Sequence, residues 1–140
     1  MSIAGLSEIA DPPRQAVIET VTSCALKCPS CYIGAGLIKR PKQLMEWDLF
    51  SKIADQIEPF VKHAYCHLWG EPTMHPRIGD VIRRLREFAT VDLSTHGILV
   101  TEENVDALCQ ATSLGVSIDG LDQETYEKYR VRGSLEKAMS

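Results

Sequence analysis

The chain has 140 residues, 44% hydrophobic and 24% charged, with a formal net charge of −4 at pH 7. That is the balance of one soluble globular domain with a real core, and it argues against a general nucleic-acid binder, which would carry a basic surface. No run is long enough to span a membrane, Met1–Ala10 lacks the basic start and apolar stretch of a secretory signal, and five cysteines without a paired framework suit a reducing cytoplasm.

Residues 1–15 read as an irregular leader, because Asp11-Pro12-Pro13 cannot continue a helix. The β-branched run Ala16–Thr22 predicts a first strand. It delivers a loop carrying Cys24, Cys28 and Cys31. Leu49, Phe50, Ile53, Ala54 and Ile57 form one apolar stripe and predict a helix over 46–58, which Pro59 helps to end. His63–Trp69 predicts a second strand, leading into Gly70-Glu71-Pro72. Ile78, Val81, Ile82, Leu85 and Phe88 predict a second amphipathic helix, with Arg83, Arg84 and Arg86 on its solvated face.

Thr90–Thr95 predicts a third strand, and Thr101 an N-cap for a helix whose apolar face is Val105, Leu108 and Cys109. Cys66 and Cys109 are both expected as buried small hydrophobes. Ser113–Asp119 predicts a fourth strand. Asp122 and Ser134 are expected to cap two short helices. Strand and helix alternate four times, which predicts a parallel sheet with right-handed helical crossovers. The fourth strand is expected at an exposed sheet edge.

The three cysteines fall within eight residues in a C-x₃-C-x₂-C spacing. Three soft thiolates can hold three corners of a cubane iron–sulfur cluster and leave its fourth iron open to a small molecule. Zinc would want a fourth protein ligand, and this spacing is not that of a paired zinc finger. In that alternative His63, His67 and His75 are the candidate ligands. Gly70-Glu71-Pro72, Ser94-Thr95-His96-Gly97 and Ser117-Ile118-Asp119-Gly120 each follow a predicted strand. The C-terminal ends of parallel strands are where open α/β sheets and βα barrels place their sites. Asp119 is expected to start a turn and His96 to serve through its backbone in a left-handed conformation.

In this order the segments resemble the radical S-adenosylmethionine (SAM) superfamily. Cys-x₃-Cys-Pro-x-Cys-Tyr, Trp-Gly-Glu-Pro-Thr-Met-His-Pro and Ser-Ile-Asp-Gly…Glu-Thr-Tyr-Glu-Lys-Tyr-Arg are most similar to the members that carry a C-terminal SPASM auxiliary-cluster domain. The resemblance implies an α/β fold, a partial (β/α) barrel with about four of the usual six parallel units. It implies that residues 16–140 are a core domain incomplete at its C-terminus. It implies a [4Fe–4S] cluster on Cys24, Cys28 and Cys31, and SAM near Gly70, Glu71, Pro72, Thr95, Ser117 and Tyr32. An electron from the cluster would cleave SAM to a 5′-deoxyadenosyl radical that abstracts hydrogen from a substrate. A peptide is the expected substrate class among SPASM relatives, and a flavodoxin or ferredoxin the expected electron donor. The alternative is a non-catalytic iron–sulfur or zinc-binding structural fragment. An open barrel flank implies little turnover by the chain alone.

Overall fold

The computed structural model describes residues 11–140. One four-stranded sheet runs in the order β1 (Gln15–Val17), β2 (His63–Tyr65), β3 (Thr90–Thr95), β4 (Ser113–Val116). Every neighbouring pair is parallel. Between the strands lie α1 (Trp47–Ile57), α2 (Ile78–Arg86) and α3 (Val105–Leu108). Two short helices, α4 (Gln123–Tyr129) and α5 (Leu135–Met139), follow β4. The expected α/β architecture, four units of a partial barrel, is therefore the one found.

The core lies on the helix side of the sheet. Ala64 of β2 and Val91 and Leu93 of β3 meet Phe50 and Ala54 of α1, Val81, Ile82 and Leu85 of α2, and Leu108 of α3. The period of two along β3 makes this possible, since Val91, Leu93 and Thr95 are buried while Asp92 and Ser94 turn to the opposite face. On that opposite face His63 bridges β2 and β3. Its ring nitrogens contact Thr90 Oγ1 at 2.6 Å and Asp92 Oδ2 at 3.0 Å. The last two helices start where the sequence places caps. Asp122 accepts from Thr125 N at 2.8 Å at the start of α4, and Ser134 from Lys137 N at 3.3 Å at the start of α5. Arg84 lies in a surface ion network with Asp55, Glu58 and Glu87, as a solvated helix face should.

Several expectations need correction. The first strand does not run through Thr22. After Ile18 the chain leaves β2 and pairs antiparallel with a later segment. Thr22 N donates to Gln43 O and Met45 N to Thr20 O, around a Val21–Leu44 bridge. The second strand stops at Tyr65, although Cys66 N still donates to Asp92 O. Beyond it, Trp69 N and Gly70 N are taken by the Glu19 carboxylate at 3.0 and 2.8 Å, so no ladder can continue. The fourth strand ends at Val116, one residue before Ser117 N makes a last bond to Thr95 O. Asn104, not Thr101, precedes α3, and its side chain accepts from Thr101 N. That helix is only four residues long. Leu108 fills the core, and Cys109, at the C-cap, is exposed rather than buried.

Of the expected leader, residues 1–10 lie outside the described residues. Arg14 already docks the chain on the sheet, its carbonyl accepting from Lys62 N and His63 N. No helix among the described residues is long and apolar enough to cross a membrane.

Candidate cluster and cofactor site

The loops after all four strands meet at one rim. Cys24, Cys28 and Cys31 line a single cleft with Trp69 and Gly70 from the loop after β2, Thr95 and His96 after β3, and Ser117 after β4. Glu71, Ser94 and Arg130 complete its polar wall. A larger hollow of about 600 Å³ lies between residues 19–22 and 43–49 and contains no thiol.

The cysteine loop is pinned from within by Leu26, which is buried. Cys31 N donates to Cys28 O at 3.2 Å and Ala35 N to Cys31 O at 2.7 Å, so the chain turns back on itself behind the thiols. Cys28 is buried, while Cys24 and Cys31 are partly exposed to the cleft. Burial pushes the Cys24 thiol up to about 11, and the nearby Glu71 carboxylate and the other two thiols add to the effect. Without a metal this sulfur is therefore a neutral thiol at pH 7. A metal that binds it must displace the proton.

The Gly70 loop is fastened to the cysteine loop at three points. Glu71 N donates to Ser23 O at 2.9 Å, Cys31 Sγ lies 4.0 Å from Trp69 O, and Glu19 holds the two amides already described. Arg40 pairs with the second oxygen of Glu19 at 2.5 Å. Gly70 has no alternative here. A Cβ at this position would overlap the carbonyl oxygen of Val21, so any side chain would force the two loops apart.

Glu71 is a buried staple. Its Oε1 accepts from Thr73 N at 3.0 Å, Thr73 Oγ1 at 2.6 Å and Thr95 Oγ1 at 2.6 Å. Its Oε2 accepts from His96 N at 3.0 Å. Four donors on one carboxylate satisfy a charge that burial would otherwise make costly. Thr95 is equally committed, since its hydroxyl also accepts from Gly97 N at 3.1 Å. Pro72 is buried and opens the short 3₁₀ turn Pro72–Met74 just behind the cleft.

Ser117 stands differently. Its Oγ lies 3.5 Å from Ser94 Oγ, and both hydroxyls face the cleft. Tyr32 is half exposed and packs edge-on against Trp69, with ring centroids 4.7 Å apart, outside the cleft lining.

His96 and Asp119 do more than expected. The left-handed residue is Gly97, at φ +79°, not His96. The His96 ring is buried. Its Nδ1 accepts from Ile98 N at 3.1 Å, and its Nε2 lies 3.5 Å from Glu71 Oε2 without a hydrogen-bond partner. Burial holds this imidazole below its usual range, so it is neutral at pH 7. Asp119 pairs with Arg130 Nε at 2.5 Å, and Arg130 Nη1 donates to Cys28 Sγ at 3.7 Å. Sequence reasoning passed over Glu19, Arg40, Ser94 and Arg130. Of these Ser94 and Arg130 had a signal, Ser94 as the first residue of Ser94-Thr95-His96-Gly97 and Arg130 as the last residue of the run Glu-Thr-Tyr-Glu-Lys-Tyr-Arg.

The donor set fits a cubane cluster better than a lone metal ion. Among the described residues, no three His, Cys, Asp or Glu side chains converge on one ion position. A cubane asks for no such convergence, because each thiolate takes a different iron. His75, one of the zinc candidates, already has Nε2 on Met45 O at 3.0 Å and Nδ1 on Arg77 N at 3.1 Å. His63 is equally engaged on the sheet.

Comparison with known proteins agrees with this geometry. The chain is 35% identical over 105 residues to the tungsten-containing aldehyde ferredoxin oxidoreductase cofactor-modifying protein of Pyrococcus furiosus, covering 72% of this chain and 28% of that protein. It is 30% identical over 132 residues to the AdoMet-dependent heme synthase of Methanosarcina barkeri, covering 91% and 38%. The chain thus spans well under half the length of these curated relatives. Among solved structures it shares its fold with anSMEcpe bound to AdoMet (TM-score 0.71, 18% identity, 91% of this chain and 40% of that one). It shares it also with BtrN in complex with AdoMet and 2-DOIA (TM-score 0.68, 17%, 92% and 55%). Streptococcus suis SuiB bound to S-adenosylmethionine is a third such neighbour (TM-score 0.69, 22%, 84% and 28%). The family description "Radical SAM superfamily" matches residues 18–140, from the residue after β1 through the end of the sequence, and the chain belongs to that superfamily.

Proposed function

We propose that residues 16–140 form the cluster-bearing core of a radical SAM enzyme, in which Cys24, Cys28 and Cys31 hold one [4Fe–4S] cluster and SAM lies beside it. The observation that carries this reading is the meeting of three thiols with Gly70, Thr95 and Ser117 in one cleft at the C-terminal rim of a parallel sheet. When bound, the cluster supplies the electron that cleaves the SAM sulfonium and yields a 5′-deoxyadenosyl radical for hydrogen abstraction.

The protein's part is to bind, orient and exclude water. The Gly70 carbonyl, brought close by the missing side chain, accepts from the methionine ammonium. Glu71, Pro72 and Thr95 fix that loop, the carboxylate through its four donors and the proline by starting the turn behind it. Ser117 offers a hydroxyl to the SAM carboxylate or ribose. Tyr32 is the remaining SAM contact, through its exposed ring.

The substrate we propose is a peptide, processed by an enzyme of the SPASM-associated type with a flavodoxin or ferredoxin as electron donor in a reducing cytoplasm. Two things support the peptide: the sequence resemblance, and the likeness of fold to SuiB, which has also been crystallised bound to precursor peptide SuiA.

Anaerobic reconstitution, reduction by dithionite and chromatography of 5′-deoxyadenosine test the activity. Radical chemistry needs a dry, closed pocket, and β4 is an edge strand of the sheet with no further strand beside it among the described residues. The chain alone should therefore release 5′-deoxyadenosine slowly and without coupling to a substrate. A fully loaded cluster that releases none would overturn the proposed chemistry.

A further inference from the structure

The loop that carries the thiols is where the chain's charge changes sign. Residues 20–45 hold four of the 15 Lys and Arg and none of the 19 Asp and Glu, in a sequence with a net charge of −4. Arg40 is taken up by Glu19, which lies just before the segment. Lys27, Lys39 and Lys42 remain. All three are exposed, and none pairs with a carboxylate among the described residues.

Backbone bonds keep one lysine near each thiol. Lys27 adjoins Cys28. Lys39 follows Ile38, whose N–H donates at 3.2 Å to the carbonyl of Tyr32, the neighbour of Cys31. Lys42 lies between Pro41 and Gln43, and both are bonded to Thr22, two residues before Cys24. Thr22 Oγ1 donates to Pro41 O at 2.7 Å and accepts from Gln43 N at 2.7 Å. The two halves of the loop touch at Gly34, where a Cβ would overlap the backbone of Cys28. Residues 32–38 therefore lie directly on the 27–28 peptide. Between the lysines the same loop offers apolar surface, since Leu37 is 70% and Tyr32 50% exposed.

The electron for the cluster has to come from outside, and SAM as proposed fills the cleft side. The other approach is through the loop, which is thin: Pro29 and Ser30 are exposed and Cys31 partly so. Unpaired cations around a small apolar centre suit the weak encounters of electron-transfer proteins, which are steered by charge and bury little area. We propose that the outer surface of the cysteine loop, marked by Lys27, Lys39 and Lys42, is the docking surface for an acidic flavodoxin. The acidic partner meets the lysines, and the apolar dimethylbenzene edge of its flavin meets Leu37 and Tyr32. The flavin hydroquinone loses one electron, the cluster gains it, and no bond or proton is exchanged. This proposal rests on the assignment of the cluster to the three cysteines.

Two measurements on the anaerobically reconstituted chain test it: calorimetric binding of oxidised flavodoxin, and stopped-flow reduction of the cluster by flavodoxin hydroquinone. In the triple variant Lys27→Glu, Lys39→Glu, Lys42→Glu, affinity and the second-order rate should both fall at least about tenfold at low salt. The gap should close at about 1 M salt, where screening reaches about 3 Å. The double variant Lys39→Glu, Lys42→Glu leaves the neighbour of Cys28 intact and should show part of the same loss. Arg14→Glu, Lys52→Glu, Lys62→Glu makes the same charge change outside the cysteine loop and should stay close to wild type. Equal losses in that control, or wild-type binding in a triple variant with full iron, overturn the proposal. So does a wild-type chain with a loaded cluster that fails to bind flavodoxin, or that an acidic ferredoxin reduces faster. A wild-type chain that takes up no cluster overturns the underlying assignment, and the proposal with it.

Discussion

Replacing Cys24, Cys28 or Cys31 singly by alanine should abolish iron binding and visible absorbance in the anaerobically reconstituted chain, from about four irons per chain to near none. The three sulfurs share one cleft, and the Glu71 carboxylate in the same wall is already taken up by four donors. Two thiolates would leave two irons of a cubane exposed, and such a cluster falls apart. Cys66→Ala and Cys109→Ala should keep full iron. Cys66 is buried in the core beneath the sheet, its thiol pushed up to about 12 by desolvation, and cannot turn toward the rim without leaving that core. Cys109 is exposed at the end of α3, outside the cleft. Iron analysis and absorbance after reconstitution check both halves of this expectation. Retention of iron by the single variants at 24, 28 or 31, or a requirement for Cys66 or Cys109, would mean that the cluster sits elsewhere.

Glu71→Gln should destabilise the fold by about 3 kcal/mol, with a fall in melting temperature of roughly 10 °C. The carboxylate is acceptor-only, and all four of its partners are donors: Thr73 N and Oγ1, Thr95 Oγ1 and His96 N. An amide turns one of the two oxygens into a donor. Either His96 N or the threonine cluster then faces an N–H, and a buried donor is left unmatched. The substitution also lets the Gly70 loop move relative to the loop after β3, so affinity for SAM should drop while the cysteines, tethered through Leu26 and Ala35, still assemble a cluster. Thermal unfolding followed by circular dichroism reads the first effect, and equilibrium SAM binding to the reconstituted variant reads the second. Wild-type stability in the glutamine variant would mean that the staple is dispensable.

What was legible in the sequence was mostly local. The third strand is read to the residue, because Val91, Leu93, Asp92 and Ser94 alternate in both polarity and burial. The first helix is read to within a residue at each end from its apolar stripe and the proline behind it. Asp122 and Ser134 cap their helices as expected, since an N-cap bond spans only three residues. The meeting of the cysteine, Gly70, Thr95 and Ser117 loops at one rim was also legible, because parallel βα units put every strand end on the same side.

The misses share a different cause. The β-branched run after Val17 looks like strand, but a segment more than twenty positions later captures it through the Val21–Leu44 bridge. Glu19 reads as an ordinary strand residue until Trp69 and Gly70 bring it two amides. Thr95 and Glu71 read as cofactor contacts and do line the cleft, but their bond to each other was not legible in the sequence. His96 looks like a turn residue because nothing nearby in sequence announces that its ring will be buried beside Glu71. Cys109 shares a helical face with Val105 on paper, but the helix ends before that face reaches it.

Mössbauer spectra of the chain reconstituted with isotopically enriched iron, recorded with and without SAM, test the open-iron cluster most directly. Three thiolate ligands leave one corner of the cubane without a protein donor, so addition of SAM should change the isomer shift of a single iron and leave the others unchanged. A spectrum indifferent to SAM, or a chain that takes up zinc in preference to an iron–sulfur cluster, would contradict it.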